Sequence, residues 1–275
     1  MVNPRLLTVT QLEDGLGALD HKRENVHASI VGIAVDYLSR LADIRLGVDD
    51  GPVKLAGEVF RASLLGARRL TDSGTHSSAK EDAARAILSL NILEHEDGTA
   101  AFVIDDDAAR IACQLATYDV ALRAGPAWYN PESTLRAPDE TATSHILSMV
   151  ERSQDFFEDY GPILEVAFVF VDEDEFEAGG RGGYSIYVDS GDGDFLTEDT
   201  LWDFKVSALK PNKDHTLQLV MYYLMGKQSG LPQFATQTHV GIFNPRMNAV
   251  YRLAVEDVPA EVLETVRRDV IGYEG

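Results

Sequence analysis

The stretch Gly191–Ser207, GDGDFLTEDTLWDFKVS, places two carboxylates and an amine where they can act together. With Glu198 and Asp199 as the centre of a tight turn, Thr197 pairs with Thr200, Leu196 with Leu201, Phe195 with Trp202, and Asp194 with Asp203. Opposed residues of an antiparallel pair share a face, with Cβ atoms about 4.5–5.5 Å apart. Asp194 and Asp203 are therefore predicted to face each other, and Lys205, two residues on, points the same way. Leu201 shares that face, while Trp202, Phe204 and Val206 cover the other with apolar bulk. Two facing carboxylates repel, and the pair costs stability unless a cation sits between them. Mg²⁺ (or Mn²⁺) meets that need, because it takes a few carboxylate oxygens and keeps waters and a substrate phosphate. A lysine beside it can position or deprotonate an attacking water, or neutralise charge on phosphoryl oxygens. That is the chemistry of phosphodiester hydrolysis. The alternative for an Asp-x-Lys strand is a solvated edge; the opposed carboxylate and the bulky apolar neighbours weigh against it.

The next apolar segment, HTLQLVMYYLMG, carries Gln218 and Tyr222 four residues apart, on one face of a helix. A lone glutamine among Leu, Val, Met and Tyr needs a polar partner, which either the core or the hairpin supplies.

Together these elements resemble the PD-(D/E)XK nuclease superfamily. Asp194 followed by Asp203-Phe204-Lys205 matches its signature, and Gln218 and Tyr222 match the Q-x-x-x-Y element of the RecB-type clade. Glu165 stands at the start of the preceding strand, where that clade often has a glutamate. Gly32-Ile-Ala-Val-Asp36 is similar to an upstream G-x-x-h-H element, with Asp36 in place of the metal-binding histidine. A solvent-facing helix aspartate is the other reading of Asp36, and His27 and His145 are alternative ligands. The resemblance implies a catalytic set of Asp194, Asp203, Lys205, Gln218 and Tyr222, and metal ligands among Asp194, Asp203, Glu165 and Asp36. It also implies a restriction-endonuclease-like α/β fold, a mixed sheet flanked by helices. The cysteines that hold an iron–sulfur cluster in some clade members are absent. DNA is the expected substrate; the alternatives are RNA, or a non-catalytic scaffold or regulator built on the same fold.

Positioning these residues falls to elements of two kinds. Residues 1–160 read as mainly helical and 161–275 as the catalytic α/β core of one nuclease domain. Helices are predicted over Val26–Gly47, Val53–Leu70, Ser77–Leu93, Asp105–Arg123 and Thr143–Tyr160, from apolar residues at helical spacing. The segment 125–141, with Pro126, Pro131 and Pro138, reads as a loop. Leu164–Val171 and Tyr184–Asp189 read as strands. The acidic, glycine-rich loop Asp172–Gly183 precedes no helix and is not a phosphate cradle. Thr216–Met225 reads as a helix, His239–Asn244 and Ala249–Val255 as a strand pair turning at Asn244-Pro245-Arg246, and Ala260–Ile271 as a closing helix.

Composition sets the limits. The chain has 275 residues, 45% of them apolar, enough for a substantial core. No apolar run reaches the roughly 18–20 residues needed to cross a bilayer, and Met1-Val-Asn-Pro-Arg does not open like a signal peptide, so a cytoplasmic protein without a membrane partner is expected. Cys113 is the one cysteine, so an intrachain disulfide or a cysteine-based zinc site is excluded. It sits in an apolar helical pattern that does not suit a nucleophile. The seven histidines are scattered, without the close pair of a helical zinc site. With 45 acidic and 24 basic residues the net charge is −21, which repels polyanions at long range. A nucleic-acid substrate then requires a local basic groove, with Arg181, Lys205, Lys210, Lys213 and Lys227 as candidate phosphate contacts, or a partner protein that delivers it.

Overall fold

The computed structural model describes residues 2–46, 51–97 and 99–273. In chain order the elements are β1 (Thr8–Gln11), α1 (Ala28–Asp43), β2 (Arg45–Leu46), α2 (Pro52–Val59), α3 (Arg61–Asp72), α4 (Ala79–Leu88), β3 (Ile92–Glu94), β4 (Ala100–Phe102), α5 (Asp106–Arg123), α6 (Pro131–Leu135) and α7 (Glu140–Tyr160). There follow β5 (Glu165–Val166), α8 (Glu173–Glu177), β6 (Phe195–Leu196), β7 (Thr200–Phe204), α9 (Lys213–Ser229), β8 (His239–Asn244), β9 (Ala249–Ala254) and α10 (Ala260–Thr265). They gather into two compact units, Met1–Gly17 with Asp155–Gly275, and Ala18–Gln154.

The first unit is built on a mixed sheet of six strands among the described residues, in the order β1-β9-β8-β7-β6-β5. Neighbours pair antiparallel except β7 and β8, which run parallel and are joined through α9. A parallel pair needs such a crossover, and the helix must lie on one face of the sheet. Leu219 and Val220 of α9 accordingly pack with Leu196, Leu201, Val240 and Ile242 of the strands. The opposite face is aromatic: Phe156 from the last turns of α7 packs with Phe195, Trp202 and Phe243. Its ring stacks on Phe243 at 4.2 Å and meets Trp202 edge-on at 5.0 Å. Gly241 makes room here, since a Cβ at that position would lie 2.3 Å from the Trp202 ring.

The second unit packs α5 against α1 and α3. Ser63 of α3 donates to the buried carboxylate of Asp119 on α5 at 2.6 Å, and Tyr37 of α1 donates to the same oxygen at 2.7 Å. Among the described residues β2, β4 and β3 form a small antiparallel sheet.

Several expectations are corrected. The single helix over Val53–Leu70 breaks at Phe60, whose ring is buried against Tyr37 at 4.8 Å. The helix over Val26–Gly47 ends at Asp43, with β2 after it; Gly47 itself lies outside the described residues. The helix over Ser77–Leu93 stops at Leu88, and Ile92–Glu94 is a strand. The loop over 125–141 contains α6 and the start of α7. The strand over Leu164–Val171 is regular only over Glu165–Val166: Ala167 takes a left-handed conformation (φ 49°), and past it the backbone bonds continue irregularly, Ala167 N–H to Asp194 O at 2.8 Å and Gly193 N–H to Phe168 O at 2.9 Å. Phe168 and Phe170 are still buried as a strand pattern would have them, with Val169 exposed between. Tyr184–Asp189 is a turn, closed by Ser185 N–H to Val188 O at 2.9 Å. α8 occupies part of the acidic loop, and the closing helix changes at Thr265 to a wider turn over Val266–Ile271.

Candidate functional site

The hairpin forms with the expected register, Phe195 opposite Trp202 and Leu196 opposite Leu201, and Thr197 N–H meets Thr200 O at 3.0 Å. The Asp194–Asp203 rung is not part of the ladder. Instead the Asp194 carboxylate accepts the backbone N–H of Phe204 at 2.5 Å, fastening itself beside the end of β7. Gly193 permits this path, because a Cβ there would lie within the Phe168 ring. β7 and β8 are in register from Thr200–His239 to Phe204–Phe243, and Lys205 N–H extends the pairing to Phe243 O at 3.0 Å. The segment after Lys205 is held by the buried Asn244, which donates to Ser207 O at 2.8 Å. Asp203 and Lys205 thus sit at the carboxyl end of a parallel pair, where a crossover sheet opens its crevice.

Asp203 is only 5% exposed. Its Oδ1 pairs with Lys205 Nζ at 2.9 Å, and its Oδ2 is buried with no hydrogen-bond partner. Burial pushes the Asp203 carboxyl up, against the pull of Lys205 and of His215 on the first turn of α9. Burial works to lower the Lys205 ammonium, but Asp203 and Asp194 outweigh it and hold the lysine protonated, above its ordinary value.

Gln218 Nε2 donates to the Tyr222 hydroxyl at 3.2 Å. Burial pushes that phenol up, and the nearby carboxylates of Asp192, Asp203 and Asp194 push it further, so it keeps its proton. Tyr184 donates to Gly191 O at 2.5 Å and fixes the loop that carries Asp192. The structure thus brings together Asp194, Asp203, Lys205, Gln218 and Tyr222.

Glu165 pairs with Leu196 across the sheet, on the Asp203 side of the hairpin, but its side chain bonds to Gln233; burial pushes its carboxyl up. Asp36 belongs to the second unit, in a 2.5 Å ion pair with Arg40 one turn along α1. His27 caps α1 through Ser29, and His145 Nδ1 lies 2.9 Å from Glu24 Oε1. Arg181 and Lys227 are engaged by backbone carbonyls of Ser185 and of Phe234 and Ala235, whereas Lys210 and Lys213 are exposed. Cys113 is buried, with its thiol pushed up to about 12 by that burial, so it is not a nucleophile.

Asp192, His215 and Asn244 were not singled out from the sequence. For Asp192 the signal was its place two residues before Asp194. For His215 and Asn244 there was none, because the contacts depend on the β7–α9–β8 crossover.

Among the described residues no three His, Cys, Asp or Glu side chains converge as a full ligand set. Two carboxylates, one with an oxygen that lacks a partner, suit an ion that retains waters and takes phosphate oxygens, as Mg²⁺ and Mn²⁺ do; they do not suit a closed zinc site. Compared with protein-family models, with curated proteins and with solved structures, the chain finds no match.

Proposed function

We propose that the chain is a metal-dependent nuclease that hydrolyses phosphodiester bonds in DNA, on a restriction-endonuclease-like sheet. The observation that carries this reading is the partnerless, buried Oδ2 of Asp203 beside Asp194 and Lys205. An unsatisfied buried carboxylate oxygen costs free energy, so its retention points to a ligand it is kept for. The mixed sheet, with its crossover helix presenting Gln218 and Tyr222 to the same end, supports the reading as well.

Asp194 and Asp203 would hold Mg²⁺ or Mn²⁺, which supplies charge neutralisation at the phosphate and a bound water of lowered pKa. Lys205, beside both carboxylates, would donate to the phosphoryl oxygens as negative charge builds there, or position or deprotonate the attacking water. Gln218 fixes the Tyr222 hydroxyl, and that hydroxyl keeps its proton among the acidic groups.

One observation favours a second reading: Lys205 and Asp203 already neutralise each other at 2.9 Å, as they would in a non-catalytic scaffold. That reading leaves Oδ2 of Asp203 unexplained. Incubation with linear, circular and single-stranded DNA and with RNA, in Mg²⁺, Mn²⁺ or EDTA, separates the two. Metal-dependent cleavage that Lys205→Ala abolishes is expected; cleavage of RNA alone would change the substrate; no cleavage of any substrate would leave the scaffold.

A further inference from the structure

In a chain with 45 acidic and 24 basic residues, two adjoining segments of the second unit hold more basic than acidic residues, with Asp82 of α4 near them through His76, which bonds to Tyr129. Residues 61–72 and 120–137 hold Arg61, Arg68, Arg69, Arg123 and Arg136, against two exposed carboxylates, Asp72 and Glu132. The fold brings the two segments together. α3 and α5 pack side by side with their carboxyl ends adjacent: Arg69 of α3 donates to Leu122 O of α5 at 2.8 Å. The short turn Pro126–Trp128 lies against both helices, and α6 lies against α5.

Helix electrostatics explain part of this. Arginines in the last turn favour the negative end of the helix dipole, which accounts for Arg69 and Arg123. They do not account for Arg61, which sits in the first turn of α3, where a cation is unfavourable and no acidic residue accompanies it. Arg61, Leu65 and Arg68 follow at i, i+4 and i+7 on one exposed face of α3, which Asp72 ends. The ion pairs on this surface are loose. Arg68 and Asp72 are 3.6 Å apart and both 69% exposed, and Arg123 is 3.7 Å from Asp119. The exposed Arg68–Asp72 pair contributes little to stability and leaves guanidinium donors available. Trp128, in the turn that lies against both helices, is 74% exposed.

We propose that this surface binds single-stranded nucleic acid, with the arginines holding phosphates and Trp128 stacking on a base. Planar guanidinium donors and an aromatic platform are the pairing that unstacked nucleotides select. The choice of a nucleic acid over an acidic protein rests on the nuclease reading above. A local basic surface also offers a polyanion an approach to a chain of net charge −21.

The chain supplies its own probe. It has two tryptophans, and Trp202 is 1% exposed, so quenching of tryptophan emission by a ligand reports on Trp128. Wild-type protein in EDTA would be titrated with oligo(dT) of about 15 nucleotides, a length that spans such a site. Saturable quenching that weakens with salt is expected. Trp128→Leu should remove the signal and weaken binding of a fluorescein-labelled oligonucleotide about tenfold. Arg61→Glu with Arg68→Glu, on an exposed helix face, should lower the salt dependence by about one to two phosphate contacts, with the circular dichroism spectrum unchanged. No quenching at low salt overturns the proposal. Equal quenching by poly-glutamate also overturns it, in favour of an acidic protein partner. Cleavage in Mg²⁺ without quenching would remove this surface and keep the nuclease; quenching without cleavage in any metal would do the reverse.

Discussion

Lys205 Nζ stands 2.9 Å from one oxygen of Asp203, while the other oxygen of that carboxylate is buried with no hydrogen-bond partner. Half of the carboxylate is thus satisfied by the protein and half is held open. An ammonium that already neutralises the site also sets what a metal must compete with. The consequences can be measured.

Lys205→Ala should lower cleavage by a hundredfold or more, about the loss seen when one donor to a developing oxyanion is removed. It should cost about 1–2 kcal/mol of stability without metal, because Asp203 loses its neutralising neighbour. Mg²⁺ should then raise the melting temperature of the variant more than that of wild type, by replacing the lost cation. Calorimetric scans with Mg²⁺ and with EDTA check this, and wild-type cleavage by the variant would displace Lys205 from the centre.

Asp203→Asn should lose metal-dependent cleavage, and its metal-free melting temperature should fall modestly, because the Lys205 ammonium loses the carboxylate that neutralises it. Mg²⁺ should no longer shift it. Asp36→Asn and Glu165→Gln should keep both cleavage and the Mg²⁺ response, because Asp36 is paired with Arg40 and Glu165 is turned to Gln233. Loss of the Mg²⁺ response in Glu165→Gln would place that carboxylate in the ligand set.

Gln218→Ala and Tyr222→Phe should each lower kcat about tenfold, and the double variant should be no worse than either. The 3.2 Å bond between them makes the pair one unit. Additive losses would separate their roles, and outright unfolding of Gln218→Ala would make the glutamine a core residue only.

In the second unit, burial pushes the Asp119 carboxyl up despite the hydrogen bonds from Ser63 and Tyr37. The folded protein therefore keeps a proton that the unfolded chain releases, and the linkage relation fixes the sign. Stability is lost as pH rises from the ordinary Asp value of about 3.9 through the raised folded value, and then levels. Asp119→Asn removes this dependence. Urea unfolding from about pH 4 to about pH 7 should show the variant gaining on wild type as pH rises; a constant difference would mean that Asp119 is ionised throughout.

Sequence periodicity was enough for features set by neighbours along the chain. The hairpin register at Phe195–Trp202 and Leu196–Leu201, the helix carrying Gln218 and Tyr222, and the final strand pair were all legible, because side chains repeat at two residues in a strand and near 3.6 in a helix. What depended on distant partners was not. Thr8–Gln11 is exposed along its length and carries no apolar alternation, so only its pairing with β9 makes it a strand. Leu164–Val171 has the composition of a strand, but the left-handed conformation of Ala167 breaks its regular geometry after two residues. The facing of Asp194 and Asp203 became a different arrangement, because the Asp194 carboxylate found the Phe204 N–H. Which groups surround the site was decided by the parallel β7–β8 pair: it aligns Asn244 with the segment after Lys205 and sets His215 near Asp203. No local pattern encodes such contacts, since they exist only once the crossover has closed.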